Sequence, residues 1–384
     1  MPPRLPLSAL LSWALVAFTI EFDNEFEHLA PHRTSVHGRA PRSPERPWLV
    51  SMVMYAKFLR FVTDEGISIR DMQRQTQIPA AELRVWLTRL AKWWNYITIQ
   101  PGAASSRTSP ASPKPDWLIR PTPGGRKALE TWRPLTDTIE ARWRQRFGKE
   151  EIQALRSSLR SLVDQLPADL PRTLPILGFG LLCKPPQSTE NRVKAPTPYD
   201  LSLPALLSTV LYAFAIAFED NSDVSLAISA NILRVFDQDA PDATDATNAI
   251  DASELARLAS VSKEAVIMSF SFLLRRGYLT TAKAGSKSRG KRFALTTKGR
   301  NAAQHYQTLT QAIEDHWIQE FGKEQIARLR TSLESFTADS RPGTSPLFLG
   351  LTPYPDGWRA SQPRPLGLPN FPMILHRGGF PDGS

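Results

Sequence analysis

The sequence predicts a mainly α-helical protein with small β-hairpins, an α+β chain in which one unit occurs twice. Three observations carry that expectation. Long apolar stretches recur at helical density. Several motifs appear two times in the same order. Each set of motifs contains a helix pair followed by two short strand-like runs around a polar loop. Hydrophobic residues make up 41% and charged residues 22% of the 384 positions, the balance of a globular chain and not of a disordered or collagen-like one. At roughly 150 residues per domain, two or three domains fit.

The first element is LPLSALLSWALVAFTI, Leu5 to Ile20, preceded by Arg4. It resembles the charged and apolar regions of a signal peptide. It is shorter than the roughly 20 apolar residues a bilayer demands, and the acidic run EFDNEFE follows it in place of a small-residue cleavage site. Nearly the same string recurs inside the chain as LPALLSTVLYAFAIAF, Leu203 to Phe218. A targeting signal has no reason to be copied into the interior, whereas a packing helix does. Both strings are therefore expected to be buried, interface-forming helices.

Phe18 and Phe22 recur 196 residues later as Phe214 and Phe218. Glu140, Trp143, Phe147 and Gly148 recur 174 residues later as Glu314, Trp317, Phe321 and Gly322, inside IEARWRQRFGKEEIQALRSSL and IEDHWIQEFGKEQIARLRTSL. Collinear matches at drifting offsets mean duplication with loop insertions. The expected boundaries are 1–166 for the first unit, 167–202 for a Pro-rich linker, 203–338 for the second unit and 339–384 for a Pro/Gly-rich tail. Prolines at the density of the linker and tail cannot continue a helix. Apolar strings within them (Ile176-Leu177, Leu347-Phe348) suit docking on a domain surface, with a flexible spacer as the alternative.

Within a unit, a helix over about Trp48 to Val62 is matched by Leu226 to Phe236. Two helical segments joined by a tight turn come next. In the second unit these are ELARLA and KEAVIMSFSFLLRR, with Val266, Phe270 and Leu273 on one face. In the first they are RDMQRQTQ and AELRVWLTRLAKW, with Leu83, Leu87 and Leu90 on the buried face. A helix, a three-to-four-residue turn and a second helix is helix-turn-helix spacing. Strands are then expected at Tyr96 to Gln100 and Trp117 to Ile119, and at Tyr278 to Ala282 and Arg292 to Leu295. A long amphipathic helix starts at Thr122 or Thr296, and a shorter one follows each FGKE.

The buried first helix, the helix pair ending in LLRRGYL, the basic hairpin, LTTKGR (Leu295 to Arg300) with its partner RPTPGGR (Arg120 to Arg126), and the two W-x-x-x-F-G strings resemble MarR-type winged helix-turn-helix regulators. The resemblance covers most of residues 7–164 and 203–336. It implies tandem winged helix-turn-helix domains. Because proteins of that type are homodimers joined by first and last helices, it also implies a single chain acting as an intramolecular pseudo-dimer, a monomer in composition. The partner it implies is double-stranded DNA, with no cofactor and with a small-molecule effector left open.

Charge agrees with a polyanionic partner. Lys and Arg number 47 against 37 Asp and Glu, a net charge of +10. Nine cations and no carboxylate lie between residues 275 and 300. Hairpin cations neutralise phosphates and release counterions, and an arginine at the tip can enter a narrow minor groove. The candidates are Arg107, Lys114 and Arg120 in the first hairpin and Lys283, Lys287, Arg289, Lys291 and Arg292 in the second; a solvated basic loop is the plainer reading. The resemblance also implies an aspartate that orients the wing-tip arginine, a role Asp116 would fill for Arg120 and for which the second unit has no acid. Base readout is expected from the second helix of each pair. The candidates there are Arg84, Thr88 and Arg89, then Ser262, Lys263 and Ser269, with Ala80, Glu82 and Ala265 also expected on the exposed faces. The unequal helices predict an asymmetric site. The rival expectation is a winged-helix module that holds a protein partner without reading DNA sequence.

The remaining signals are weaker. Glu21, Asp23, Glu25 and Glu27 with His28, His32 and His37 have the density of a divalent-metal or effector site, but Pro31 interrupts the histidines and the second unit lacks them. An acidic helix end in solvent, or paired with arginines, is the expectation, and no metal is called for. The lone Cys183 excludes an intramolecular disulfide framework and a Cys-rich zinc module. No P-loop, GxGxxG or G-x-S-x-G motif is present, so a non-enzymatic, cytoplasmic protein is expected. Trp86, Trp93 and Trp94 suit core packing better than base stacking.

Overall fold

The computed structural model describes residues 4–30, 52–76, 78, 80–92, 94–101, 114–167, 170, 201–236, 249–282, 292–337, 345–361 and 367–373. The fold is mainly helical with two small antiparallel sheets. The element order of the first half is α1 (Leu7–Leu29), α2 (Met52–Lys57), a 3-10 turn (Leu59–Phe61), β1 (Ile67–Ser68), α3 (Ile69–Thr76), α4 (Ala80–Lys92), β2 (Ile97–Gln100), β3 (Leu118–Pro121), α5 (Pro123–Trp132), α6 (Leu135–Phe147) and α7 (Lys149–Val163). The second half runs α8 (Leu203–Glu219), α9 (Leu226–Asn231), a 3-10 turn (Leu233–Val235), β4 (Ile250–Asp251), α10 (Ala252–Ala259), α11 (Lys263–Arg275), β5 (Leu279–Ala282), β6 (Arg292–Leu295), α12 (Thr297–Phe321) and α13 (Lys323–Phe336). A short helix, α14 (Pro346–Leu349), follows.

The expected helix pair appears in each half, with three residues between its members. Leu83, Leu87 and Leu90 of α4, and Val266, Phe270 and Leu273 of α11, are all buried. The central strand of each sheet is the returning arm of the hairpin, giving the orders β1-β3-β2 and β4-β6-β5. The outer strands β1 and β4 are too short for any alternation to reveal them, and they pair as Ile67 with Ile119 and Ile250 with Phe293. After each hairpin a threonine caps the next helix. The Thr122 and Thr296 hydroxyls accept from the N–H groups of Gly125 and Gly299 at 3.0 and 3.1 Å.

Two helices differ from expectation. The long helix after the hairpin is continuous in the second half, but the first half breaks it into α5 and α6 at Pro134, which has no N–H to donate and stands where the second half has Thr308. Helix α1 does not stop at Ile20. It continues through EFDNEFE to Leu29, and Glu21, Asp23, Glu25 and Glu27 are buried, so of the two expected states for this acidic end the arginine-paired one holds and the solvated one does not. Among the described residues no helix is long and apolar enough to cross a membrane.

The halves interlock through their first and last helices. Helix α1 packs on α8 and α13, and α7 packs on α8 and α13. Phe18 meets Trp143 edge-on at 5.3 Å, and Phe214 meets Trp317 in the same manner at the same distance. Phe147 and Phe336 join the halves directly at 4.3 Å. Buried ion pairs repeat the exchange. Arg156 pairs with Glu140 at 2.8 Å and donates to the Leu201 carbonyl at 3.1 Å, just ahead of α8. Arg330 pairs with Glu314 and donates to the Leu5 carbonyl at 2.9 Å, just ahead of α1. Each half's last helix thus holds the entry to the other half's first helix.

Residues 345–361 and 367–373 form a strap, and Leu347, of the apolar string expected to dock, is fully buried. Ser12 donates to the Pro369 carbonyl at 2.8 Å, and Asn231 exchanges two hydrogen bonds with the Phe371 backbone. The strap therefore touches α1 of the first half and α9 of the second.

Candidate nucleic-acid interface

Helix α4 exposes a stripe set by its own period. Arg84, Thr88 and Lys92 are exposed at four-residue spacing, opposite the buried leucines. The Thr88 hydroxyl donates back to the Arg84 carbonyl at 2.8 Å, so its outward side is an acceptor. Arg89 lies off this stripe. It is half-buried with its guanidinium 5.6 Å from the Trp86 ring centre, and burial lowers its pKa. Arg89 is thus less exposed than expected of a base-reading candidate. Trp86 and Trp94 are themselves buried, the packing role expected of them.

The corresponding stripe of α11 is Lys263, Ile267, Ser271 and Arg275, all exposed. Two expected members fail here. Ser269 is 0% exposed and donates to the Ala265 carbonyl at 2.8 Å, and Ala265 is buried too. Position 269 stands three residues after Val266 and four before Leu273, which puts it inside the core-facing stripe. Ser271, Ile267 and Lys92 are the residues missed. The signal that finds them is the four-residue step from Lys263 and from Arg84. Ser262 caps α11, its hydroxyl accepting from the Ala265 N–H at 3.2 Å, so this side chain organises the turn.

The hairpin candidates divide as well. Lys114 is exposed. Arg120 is half-buried at the base of its hairpin, where it pairs across from Thr98 and donates from Nε to the Glu65 carbonyl at 3.3 Å. Asp116 lies beyond the other end of β3, so the expected orienting role is replaced by the Glu65 backbone. Arg292 likewise donates to the Ala249 carbonyl beside β4, fastening the sheet. Arg107, Lys283, Lys287, Arg289 and Lys291 lie outside the described residues, as do His32, His37 and Cys183.

The acidic end of α1 is the second concentration of charge. Arg146 forks onto both oxygens of Glu21 at 2.5 and 3.1 Å, and Trp143 Nε1 donates to the same carboxylate at 3.0 Å. Glu25 receives Arg142 and the Tyr354 hydroxyl at 2.8 and 2.7 Å. Asp23 and Arg359 are both fully buried and meet at 3.3 Å, while the Met52 N–H donates to Asp23 at 2.5 Å. Burial raises the Asp23 pKa to about 7 against the opposing pull of Arg359. Arginines from α6 and from the strap therefore take up these carboxylates. His28 stacks on Tyr354 at 3.9 Å. Among the described residues, no three His, Cys, Asp or Glu side chains are grouped to hold a metal ion.

Comparison with protein-family models and with curated proteins returns no match for the chain.

Proposed function

We propose that this chain is a DNA-binding transcriptional regulator of MarR-like type, in which two unequal winged helices of one polypeptide face duplex DNA. In this reading α4 and α11 are the recognition helices, the β2–β3 and β5–β6 hairpins are the wings, and the α1, α7, α8 and α13 packing replaces a homodimer interface with an internal pseudo-dimer. A regulator of this kind works in the cytoplasm, needs no cofactor and carries out no chemistry.

The observation that carries the reading is the repetition of helix pair plus hairpin on a reciprocally interlocked body, combined with the cationic surplus of the hairpin region. In two-fold helix-turn-helix proteins the recognition helices enter successive major grooves, and this reading assigns α4 and α11 to that role. Arg84 is the residue best placed to pair with guanine. Selection of bound fragments from a random duplex library, followed by titration of the winner, tests the proposal. Six or more phosphate contacts predict an affinity loss of about a thousandfold or more between 50 and 200 mM salt. Arg84→Ala should relax base preference at one half of the site, and charge reversal at Arg289 and Lys291 should weaken binding to all sequences. Footprinting should show an asymmetric site. A perfect palindrome with equal protection of both halves would overturn the inequality, and binding indifferent to salt would overturn DNA recognition itself. The second reading, a module that holds a protein, is favoured by the apolar surface of α11.

A further inference from the structure

The two recognition-equivalent helices present different chemistry to solvent. Where α4 carries Arg84, α11 carries Ile267, and Ile267 is 63% exposed. Two turns further along the same face Leu274 is 37% exposed, and Leu258 on the preceding helix is 40% exposed. On α4 the exposed apolar side chain is the single Val85. Isolated surface leucines need no explanation, but apolar residues repeated along one helix face mark a contact surface. Ile267 and Leu274 are about 10 Å apart along the axis, at 1.5 Å per residue, the step between successive anchors of a helix lying in a groove.

Charge selects the occupant. The exposed charges described along this face are cationic. Lys263 at one end of the face and Arg275 and Arg276 at the other are exposed. A second copy of this chain would set those cations against their own images, which like-charge contact disfavours. Duplex DNA answers the cations but offers apolar contact only at thymine methyls, too little for both Ile267 and Leu274. A segment with leucine-like anchors two turns apart and carboxylates on its flanks answers both features.

We infer that the solvent face of α11 is a docking site for an acidic, amphipathic helical segment of a partner protein, while α4 keeps the polar, basic face. The inference rests on the correspondence of α4 and α11 and departs from the reading above at one place, since it gives the outward face of α11 to a protein and leaves base reading to α4.

The test uses the full chain and a fluorescein-labelled 18-residue peptide with leucines at i, i+3, i+4 and i+7 and glutamates elsewhere. A scrambled peptide of the same composition is the control. The ordered peptide should give saturable anisotropy. Affinity should fall at least tenfold in Ile267→Glu and in the paired Ile267→Ser, Leu274→Ser variant, whose surface positions spare the core, and should stay within twofold in Arg84→Ala. Equal binding of ordered and scrambled peptides, or equal binding by wild type and Ile267→Glu, would overturn the docking face. So would self-association in sedimentation that Ile267→Glu abolishes, which would make the occupant a second copy. Loss of DNA binding in Ile267→Glu with peptide binding intact would assign the face to DNA. Failure of DNA binding in Arg84→Ala alone speaks only to α4, so the two readings fail separately.

Discussion

A glycine and an aspartate show how single atoms set this fold. Gly125, in the first turn of α5, lies so close to the residue leading into β2 that a Cβ there would stand 1.8 Å from the Tyr96 carbonyl oxygen, and at Gly299 the same atom would stand 2.1 Å from Tyr278 oxygen. Alanine is the better helix former by about 1 kcal/mol, yet here it must displace backbone. Gly125→Ala is therefore expected to lower the unfolding free energy by roughly 1–3 kcal/mol, the range for overpacking, read from the denaturation midpoint; a gain in stability would refute the close approach. Asp23 sets a pH dependence. Its carboxyl rises from 3.8 to about 7 on burial, so the folded chain keeps a proton that the unfolded chain has released. Stability contributed by this group is highest below about pH 4, declines as pH climbs to about 7, and is constant beyond. Asparagine stands in for the protonated carboxyl at every pH, so the melting temperature of wild type should fall steadily relative to that of Asp23→Asn from pH 5 to pH 7.5. A difference independent of pH over that interval would show that Asp23 is ionised throughout. Arg359 reaches Asp23 from 336 residues away in sequence, which is why no local signal reveals that the acidic run is buried.

Between elements, the most informative contacts are the twin ion pairs Glu140–Arg156 and Glu314–Arg330. Arg330→Met leaves Glu314 charged and buried while releasing the Leu5 carbonyl, and is expected to destabilise by about 3–5 kcal/mol. Adding Glu314→Met should recover most of that loss, since the second substitution removes the stranded charge; a double-mutant cycle of denaturation midpoints measures the coupling. A recovery of nothing would mean that the carboxylate matters chiefly through the Leu7 N–H it accepts at 2.5 Å. The repetition of these arginines was legible in the sequence, at matching places in ALRSSL and RLRTSL, whereas their glutamate partners emerged only from the fold. The helix pairs, the hairpins and the buried faces of α4 and α11 were legible for the same reason: apolar residues at three and four spacing leave little choice of face. The outward stripe of α11 was misjudged by two residues, enough to turn Ser269 into the core. Strands β1 and β4 escaped notice because two residues carry no period. Arg120 was matched with Asp116 and Arg292 was read as a wing cation, because nothing local predicts the carbonyls of Glu65 and Ala249 that hold them.

At the scale of the molecule, the reciprocal packing means that neither half completes the burial of its first helix alone. α1 is covered by α8, α13 and the strap, and α8 by α1 and α7. The strap follows the second half in sequence yet covers the acidic end of the first half's helix, through Tyr354 on Glu25 and Arg359 on Asp23. A cut between residues 185 and 186 severs none of these contacts. Coexpressed fragments 1–185 and 186–384 should therefore purify as a one-to-one complex, while either fragment alone exposes a largely apolar helix and should aggregate or self-pair. The intact chain should melt at a temperature independent of concentration. The cut pair should melt lower and shift upward as concentration rises, because association has become bimolecular. Separate fragments that remain monomeric, with melting temperatures close to that of the whole chain, would mean that each half completes its own core, and the exchange of first and last helices would lose its energetic meaning.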